Sequence, residues 1–217
     1  MKLTAKIVSV NAGRPDGTRI AQAARIVRNG GVVVFPTHGL YGLGADPFNA
    51  AAVERIYAIK GREVRKALLV LIADMPSLER VAVPPGALIL DRMRRFWPGR
   101  VTFVLQARRD LPAALTGFGD KIGVRLVAHP VAAALVRAVG APVTGTSANL
   151  SGSGGSAAVE ALDARLLDAV DLVLDAGPLA GGPGSTVVDV TGRAPLILRE
   201  GAVPAEEIRM VLGDSLY

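Results

Sequence analysis

The densest group of side chains able to do chemistry lies at Lys60–Lys66, where the sequence KGREVRK places four cations in seven positions. Lysine and arginine donate charge-assisted hydrogen bonds to phosphate and carboxylate oxygens, so this run can form an anion-binding site. A solvated surface loop is the commoner meaning of such a run. The anion-site interpretation therefore requires that other polar segments converge on these cations.

Two glycine-rich segments that follow predicted strands are candidates to meet them. Residues 35–46, FPTHGLYGLGAD, lead a buried strand into a turn where backbone can approach a ligand closely and Thr37 offers a hydroxyl. Ser147 lies in GTSAN, which lacks the second glycine of a GxSxG nucleophile elbow and so indicates a binding serine. Because ligands of open α/β sheets bind at strand ends, both segments are placed to contribute to a site.

Several common catalytic motifs are absent from the sequence. There is no cysteine, which excludes a disulfide framework, a thiolate metal site and a cysteine nucleophile. The chain has no GxxxxGK[ST] or HExxH motif, and its two histidines, His38 and His129, are far apart, so we predict no histidine-rich metal site. Gly152–Ala157 matches a loose dinucleotide fingerprint, but it comes late in the chain and lacks the tight strand-to-turn geometry.

Composition narrows the class of protein without identifying its partner. The chain has 20 arginines, five lysines and a net charge of +6, which favours anionic partners such as nucleotides or nucleic acid. The same charge is equally compatible with a basic protein that has no anionic partner. Half of the residues are apolar and only 4% are aromatic, which favours an α/β core of Val, Leu, Ile and Ala. No apolar stretch approaches 18 residues and no signal peptide is visible, so we expect a cytoplasmic protein without a membrane segment.

The elements that position these residues alternate between strands and helices, which predicts an α/β fold: a twisted, mixed β-sheet flanked by helices, in one continuous domain over residues 1–217. The predicted strands are Lys6–Val10, Gly31–Pro36, Leu68–Ile72, Val101–Gln106, Ile122–Leu126, Pro142–Thr146, Leu172–Leu174, Ser185–Val190 and Leu196–Leu198. The predicted helices are Thr18–Arg28, Asn49–Ile59, Gly86–Arg95, Pro130–Val139, Ala157–Ala169 and Ala205–Leu212. The stretch SGSGGS at Ser151–Ser156 is predicted to be a loop between a strand and a helix.

Taken together, the segments resemble the YrdC-like threonylcarbamoyl-AMP synthases in their short, single-domain form without a C-terminal extension domain. Each piece alone is weak, but all occur in the family's order. They are FPTHGLYGLGAD (35–46), KGR (60–62), FWPG (96–99), IGVRLVAHP (122–130), TSANLSG (146–152), GSTVVDV (184–190) and LILREG (196–201).

The resemblance implies a twisted α/β fold with a basic concave cavity. It also implies the activity of a nucleotidyltransferase that joins L-threonine, bicarbonate and ATP, with Mg²⁺, into L-threonylcarbamoyl-adenylate and pyrophosphate for modification of tRNA. Negative charge builds on the departing pyrophosphate, so such a reaction needs fixed cations. Separate transferase proteins would then use the product.

The same resemblance implies roles for ten residues. Lys60, Arg62, Lys66 and Arg199 would surround the phosphates, with Lys60 and Arg62 as the catalytic pair. Ser147 and Asn149 would hydrogen-bond the nucleotide. Arg125 would face the carboxylate of the amino acid, and Thr37, Ser185 and Thr186 would line the same pocket.

This chain departs from the family pattern at positions near the amino acid. Most members read Pro-Thr-Glu/Asp-Thr where this chain has Pro-Thr-His38-Gly39, so a second threonine hydroxyl is missing. Leu71 replaces a histidine, and Arg100 stands where a proline is common. Gly39 and Leu71 imply altered or lost threonine recognition with the ATP half retained.

Two alternatives follow from these departures and from the charge. The first is a paralogue of the same fold that binds ATP and another small carboxylate. The second is a module that binds tRNA or double-stranded RNA with little catalysis, through Arg92, Arg94, Arg95 and Arg100 around Trp97. Trp97 lies in the FWPG segment and is predicted to be a core residue, which disfavours the RNA surface.

Overall fold

The computed structural model describes residues 6–213, and its strands form two mixed sheets rather than the single predicted sheet. The first sheet has the order β1-β9-β2-β3-β8 and the second the order β11-β10-β5-β6-β4-β7. Both combine parallel and antiparallel neighbours. The strands are β1 (Lys6–Ser9), β2 (Val33–Pro36), β3 (Tyr41–Gly44), β4 (Val70–Ile72), β5 (Val101–Gln106), β6 (Lys121–Leu126), β7 (Val143–Thr144), β8 (Thr146–Ser147), β9 (Leu172–Asp175), β10 (Thr186–Asp189) and β11 (Leu196–Arg199).

Within residues 6–213, six α-helices flank these sheets, so the predicted α/β class is confirmed. They are α1 (Gly17–Arg28), α2 (Ala50–Lys60), α3 (Ala87–Arg94), α4 (Pro130–Val139), α5 (Ala164–Ala169) and α6 (Ala205–Leu212). Side-chain caps fix several starts: the carboxylate of Asp16 accepts from two backbone N–H groups of α1, and Asn49 caps α2. No helix within residues 6–213 is long and apolar enough to cross a membrane.

The predicted helix Ala157–Ala169 is wrong in its first half. A short 3-10 turn at Val159–Ala161 comes first. Asp163 then caps α5, which begins at the next residue, and its carboxylate accepts from the N–H of Arg165. Asparagine and aspartate favour such N-caps over helix interiors, because their side chains compete for backbone donors.

Strand β3 was not predicted, because its four residues, YGLG, are half glycine. It pairs antiparallel with β2 and is completely buried. A Cβ on Gly44 would lie 2.6 Å from the ring of Phe35 and 2.9 Å from the side chain of Val143. Glycine is therefore required here by close packing rather than by a turn.

The predicted strand Pro142–Thr146 is divided between the two sheets at Gly145. Strand β7 pairs with β4 in the second sheet, whereas β8 pairs with β3 in the first. A Cβ on Gly145 would lie 2.5 Å from Leu71, so only glycine lets the chain pass so close to β4. The two sheets meet at this crossing.

The core follows the alternation of the strands. In β2, Val34 joins a large cluster shared with the second sheet, whereas Val33 joins another that includes side chains of α1 and α4. Trp97 packs edge-on against Phe103 and donates its indole N–H to the carbonyl of Val101 at 2.8 Å. The prediction that Trp97 is a core residue is confirmed.

Candidate active site

A cavity of about 500 Å³ lies at the junction of the two sheets. It brings together residues that are far apart in the sequence, because strand ends and loops of both sheets reach it. Seven of the ten predicted site residues line it: Thr37, Arg62, Arg125, Ser147, Asn149, Ser185 and Arg199. The predicted residues Lys60, Lys66 and Thr186 do not.

Three guanidinium groups give this cavity its electrostatic character. Arg62 follows α2, Arg125 lies near the end of β6, and Arg199 is the last residue of β11. No aspartate or glutamate occurs among the lining residues, all of which belong to the described range 6–213. Cations grouped without carboxylates attract anions strongly, above all where water is partly excluded.

Arg125 is the most buried of the three, with 8% of its surface exposed. Burial, followed by the nearby charge of Arg199, lowers its pKa to about 10. Within residues 6–213 its guanidinium has no hydrogen-bond or ion-pair partner. A buried cation without a counter-ion is costly, and an anionic ligand would offset that cost.

Arg62 is half-buried, and its Nε has no partner among the described residues. One terminal nitrogen donates to the carbonyl of Ala67 at 3.3 Å, and burial lowers the pKa of the group. Arg199 donates to the carbonyl of Ser185 at 2.7 Å, which holds it against the start of β10. Both guanidinium groups keep donors for a ligand, since each has five N–H bonds.

Lys60 lies behind the cavity rather than in it. Gly61 ends α2 in the left-handed conformation, with φ of 56°, so the chain turns sharply between Lys60 and Arg62. The Lys60 ammonium donates to the carbonyls of Ser147 and Asn149, at 2.6 and 2.8 Å, and to Asn149 Oδ1 at 3.2 Å. Lys60 therefore positions the loop that carries two predicted ligand-binding residues.

Ser147 and Asn149 hold each other in place. The Ser147 hydroxyl donates to Asn149 Oδ1, and Asn149 Nδ2 donates to the carbonyls of Leu150 and Ser153. Ser147 remains exposed at the cavity wall. The short spacing in Ser-Ala-Asn thus creates one polar edge that faces the cavity.

Two further predicted residues lie outside the cavity. Thr186 is fully buried, and its hydroxyl donates to the carbonyl of Val203 at 2.6 Å while accepting from the N–H groups of Gly201 and Val203. It fastens the chain that follows β11, and so helps to place Arg199. Lys66 is exposed and does not line the cavity, so its predicted phosphate contact rests on the resemblance alone.

Thr102 lines the cavity but was not among the predicted site residues. Its hydroxyl shares a hydrogen bond of 2.8 Å with Ser185 Oγ. The signal was available in the sequence, because a threonine facing inward between Val101 and Phe103 in a buried strand requires a polar partner.

Comparison with known families agrees with this geometry. The profile of the Sua5_yciO_yrdC family, described as Telomere recombination, matches residues 25–201. The chain belongs to the Sua5/YciO/YrdC family. The predicted resemblance to YrdC-like proteins is confirmed.

Individual members of the family show how far the likeness extends. A threonylcarbamoyl-AMP synthase of Bacillus subtilis is 38% identical over 196 residues, which cover 90% of this chain and 57% of that protein. Sua5 of Pyrococcus abyssi, solved in complex with L-threonine, matches with a TM-score of 0.89 and 34% identity over 96% of this chain and 61% of that one. Escherichia coli YciO matches with a TM-score of 0.85 and 30% identity, covering 94% and 99%. This chain therefore spans less than two thirds of the first two proteins.

The departures from the family pattern have visible packing partners. A Cβ on Gly39 would lie 2.3 Å from the carbonyl oxygen of Gly181. The two backbones are also hydrogen-bonded, because the N–H of Gly181 donates to the carbonyl of Gly39 at 2.9 Å. Leu71 is fully buried against Gly145, and in the second sheet it pairs with Arg125 of β6 and Val143 of β7. Neither Gly39 nor Leu71 lines the cavity, but Gly39 precedes Leu40 and Leu71 contacts Gly145, both of which do.

Proposed function

We propose that this protein synthesises L-threonylcarbamoyl-adenylate from L-threonine, bicarbonate and ATP, with release of pyrophosphate, for the modification of tRNA. The observation that carries the proposal is the cavity with three guanidinium groups and no carboxylate among its lining residues. Its volume of about 500 Å³ is that of a small-ligand site. Relatives named threonylcarbamoyl-AMP synthase support the choice of reaction within the family.

We assign binding of the ATP phosphates to Arg62 and Arg199. The amino group of threonine attacks the carbon of bicarbonate and water leaves, which gives a carbamate; a carbamate oxygen then attacks the α-phosphorus of ATP. The bond from that phosphorus to the bridging oxygen breaks, and the electron pair leaves with pyrophosphate. Guanidinium groups fixed beside these oxygens stabilise the charge that develops, without forming a covalent bond to the substrate.

We assign binding of the amino-acid substrate to Arg125. Its guanidinium is buried and lacks a protein partner, so a bidentate pair with the threonine carboxylate would satisfy it. The hydroxyls of Thr37 and Ser185 line the same region. Thr37 donates to the carbonyl of Leu40 and Ser185 shares a hydrogen bond with Thr102, and each oxygen keeps acceptor capacity for the substrate. Holding the amino acid at a fixed distance from ATP supplies the orientation that the reaction needs.

We assign hydrogen bonds to the nucleotide to Ser147 and Asn149, on the edge that Lys60 supports. The Asn149 amide exchanges one of its contacts with Leu150 and Ser153 when the nucleotide binds. Lys60 acts here as a positioning residue, because its ammonium donates to the backbone of this edge and not into the cavity.

Magnesium enters the proposal as part of the substrate, bound to ATP. Mg²⁺ prefers carboxylate oxygens when a protein holds it, and the lining residues include none. Residues 6–213 contain no group of three or more His, Cys, Asp or Glu side chains that could hold a metal. The residues present therefore do not fit a resident magnesium site, and we assign no step to one.

The wider role extends from this reaction. We place the protein in the cytoplasm, where ATP and tRNA meet, and we assign transfer of the threonylcarbamoyl group to tRNA to separate proteins. Its arginine-rich surface is compatible with contact to tRNA, although Trp97 is in the core and does not provide a stacking surface.

The deciding experiment measures pyrophosphate release by the purified protein with ATP, Mg²⁺ and bicarbonate, with L-threonine, L-serine or no amino acid. We expect release that depends on threonine and that is greatly reduced in Arg62→Ala. The matched control is Arg65→Ala, which removes an exposed arginine three residues further along the chain and outside the cavity. Tight ATP binding without threonine-dependent release would show that this proposal is wrong.

A further inference from the structure

A second chamber of about 350 Å³, which we call the outer chamber, adjoins the cavity and shares Thr37, Arg125 and Ser185 with it. Its other walls include His38, Arg100 and the loop 181–184. A ligand group bound to Arg125 can therefore extend in two directions, toward the phosphate-binding arginines or into the outer chamber.

The outer chamber is rich in positive charge. Like Arg125, the exposed Arg100 has no side-chain hydrogen bond or ion pair with any residue in the described range 6–213. Burial, and then the charges of Arg100 and Arg125, lowers the pKa of His38, which lines the chamber together with both arginines. The imidazole of His38 presents a hydrogen-bonding group to the same space.

Glu200 is the one carboxylate that lines this chamber. Its Oε1 accepts from the backbone N–H of Ala205 at 2.9 Å, at the start of α6. This contact and the helix N-terminus stabilise the carboxylate where it is. The two arginines of the chamber therefore retain capacity for an outside anion.

The side of the outer chamber at Gly39 offers few hydrogen-bonding groups to the hydroxyl of threonine. Gly39 has no side chain and no room for one, because it packs directly against Gly181. Leu71, the strand partner of Arg125, lies outside both chambers in the apolar core and offers no hydrogen-bonding group. A site discriminates strongly for a hydroxyl only when it hydrogen-bonds it, so the chamber is better suited to a negative group than to a neutral one.

We propose that the outer chamber binds the side-chain carboxylate of aspartate or glutamate, so that the enzyme activates an acidic amino acid as well as threonine. The inference rests on the proposed function and uses the same chemistry. The amino group condenses with bicarbonate to a carbamate with loss of water, a carbamate oxygen attacks the α-phosphorus of ATP, and pyrophosphate leaves. Arg125 binds the α-carboxylate, while Arg100 and His38 bind the second one.

Bicarbonate presents the same carboxylate-like chemistry to Arg100, and the test must separate the two sources. Initial rates of pyrophosphate release are measured for L-aspartate, L-glutamate and L-threonine, each over a range of bicarbonate concentrations. The variants are Arg100→Ala, His38→Glu and the control Arg193→Ala, an exposed arginine outside both chambers. Binding of each amino acid in the presence of ATP is followed by calorimetry.

We expect the ratio of acidic amino-acid turnover to threonine turnover to fall by about tenfold or more in Arg100→Ala and His38→Glu, because each loses or opposes a charge-assisted contact. It should be unchanged in Arg193→Ala. Threonine-dependent release without aspartate or glutamate turnover would overturn this inference and leave the proposed function intact. A raised KM for bicarbonate in Arg100→Ala with an unchanged ratio would also overturn it.

Failure of every amino acid to drive pyrophosphate release would instead refute the proposed function. Calorimetry alone would then test whether the outer chamber binds an acidic amino acid. Binding of aspartate or glutamate that Arg100→Ala weakens supports the outer chamber as their site. Absence of such binding overturns it.

Discussion

Replacement of Lys60 by methionine tests whether a buried ammonium shapes the active site from behind. Lys60 is 3% exposed and donates three hydrogen bonds, of 2.6, 2.8 and 3.2 Å, to Ser147 and Asn149. Methionine keeps the length and apolar packing of the side chain but removes all three donors. The carbonyls of Ser147 and Asn149 would then lie buried without this partner.

The expected loss can be worked from these contacts. Hydrogen bonds to a charged group contribute about 1.5–3 kcal/mol each. The loop keeps part of its support, because the N–H of Ala148 still donates to the carbonyl of Tyr41 at 2.9 Å. We therefore count less than the full sum and expect about 2–4 kcal/mol, which is a loss of about 30- to 900-fold in kcat/KM for ATP.

The pH profile separates positioning by Lys60 from a general loss of folding. Burial, and then the charge of Arg62, lowers the pKa of Lys60 from 10.5 to about 8. Activity should therefore fall above pH 8, as the ammonium loses a proton and a donor. Folding stability should change in the opposite direction: since the folded pKa is depressed, the stabilising contribution is fully present above pH 10.5 and is lost as pH falls through about 8.

The assay is steady-state pyrophosphate release between pH 6.5 and 9.5, together with the free energy of unfolding over the same range. Lys60→Met should lose both pH dependences near pH 8. Lys6→Met, at the exposed edge strand β1, is the matched control and should behave as the wild type. ATP kinetics within twofold of wild type in Lys60→Met would refute the positioning argument.

Three other substitutions test the rest of the site. Arg62→Ala and Arg199→Ala should each weaken ATP binding about tenfold or more in equilibrium titrations, because each removes a partly desolvated cation from the phosphate region; unchanged affinity in both would contradict the assignment. Arg125→Met should raise the dissociation constant for L-threonine about tenfold. The free energy of unfolding should stay constant or rise by about 1 kcal/mol, because the substitution removes an unpaired buried charge. A large destabilisation would contradict this account. Gly39→Thr should lower the free energy of unfolding by about 1–3 kcal/mol, because its Cβ would lie 2.3 Å from the carbonyl oxygen of Gly181; unchanged thermal unfolding would show that the loop yields freely.

The sequence was most informative where chemistry and periodicity coincide. Amphipathic helices with capping residues at their starts were predicted within a few residues, because caps and apolar spacing are local properties. Residues at strand ends, such as Thr37 and Arg125, were predicted as site residues from the resemblance, and the structure places both beside one cavity. The division into two sheets was not visible, since strand pairing depends on contacts between distant segments.

The direction of a side chain was the other property that the sequence could not supply. Lys60 and Arg62 are two residues apart in one cationic run, yet the left-handed Gly61 between them sends Lys60 behind the polar edge at Ser147 and Asn149 and Arg62 into the cavity. Thr186 carries a hydroxyl next to Ser185, but strand alternation turns it toward Val203 instead. Motif spacing identifies neighbours of a site, whereas backbone conformation decides which of them touch the ligand.

The position of the cavity follows from the crossing at Gly145. At the crossing the backbone is hydrogen-bonded to both sheets: the N–H of Thr144 donates to the carbonyl of Ala45, after β3, and the N–H of Gly145 donates to that of Leu69, before β4, each at 3.0 Å. Strand β8 begins there and delivers Ser147, while β4, beside the crossing, runs parallel to β6 and aligns Leu71 with Arg125. Because only glycine fits at position 145 against Leu71, a larger residue there would displace both Ser147 and the strand that aligns Leu71 with Arg125. Ser147 and Arg125 are therefore coupled through this crossing, and variation at Leu71 must remain compatible with the backbone that carries Ser147.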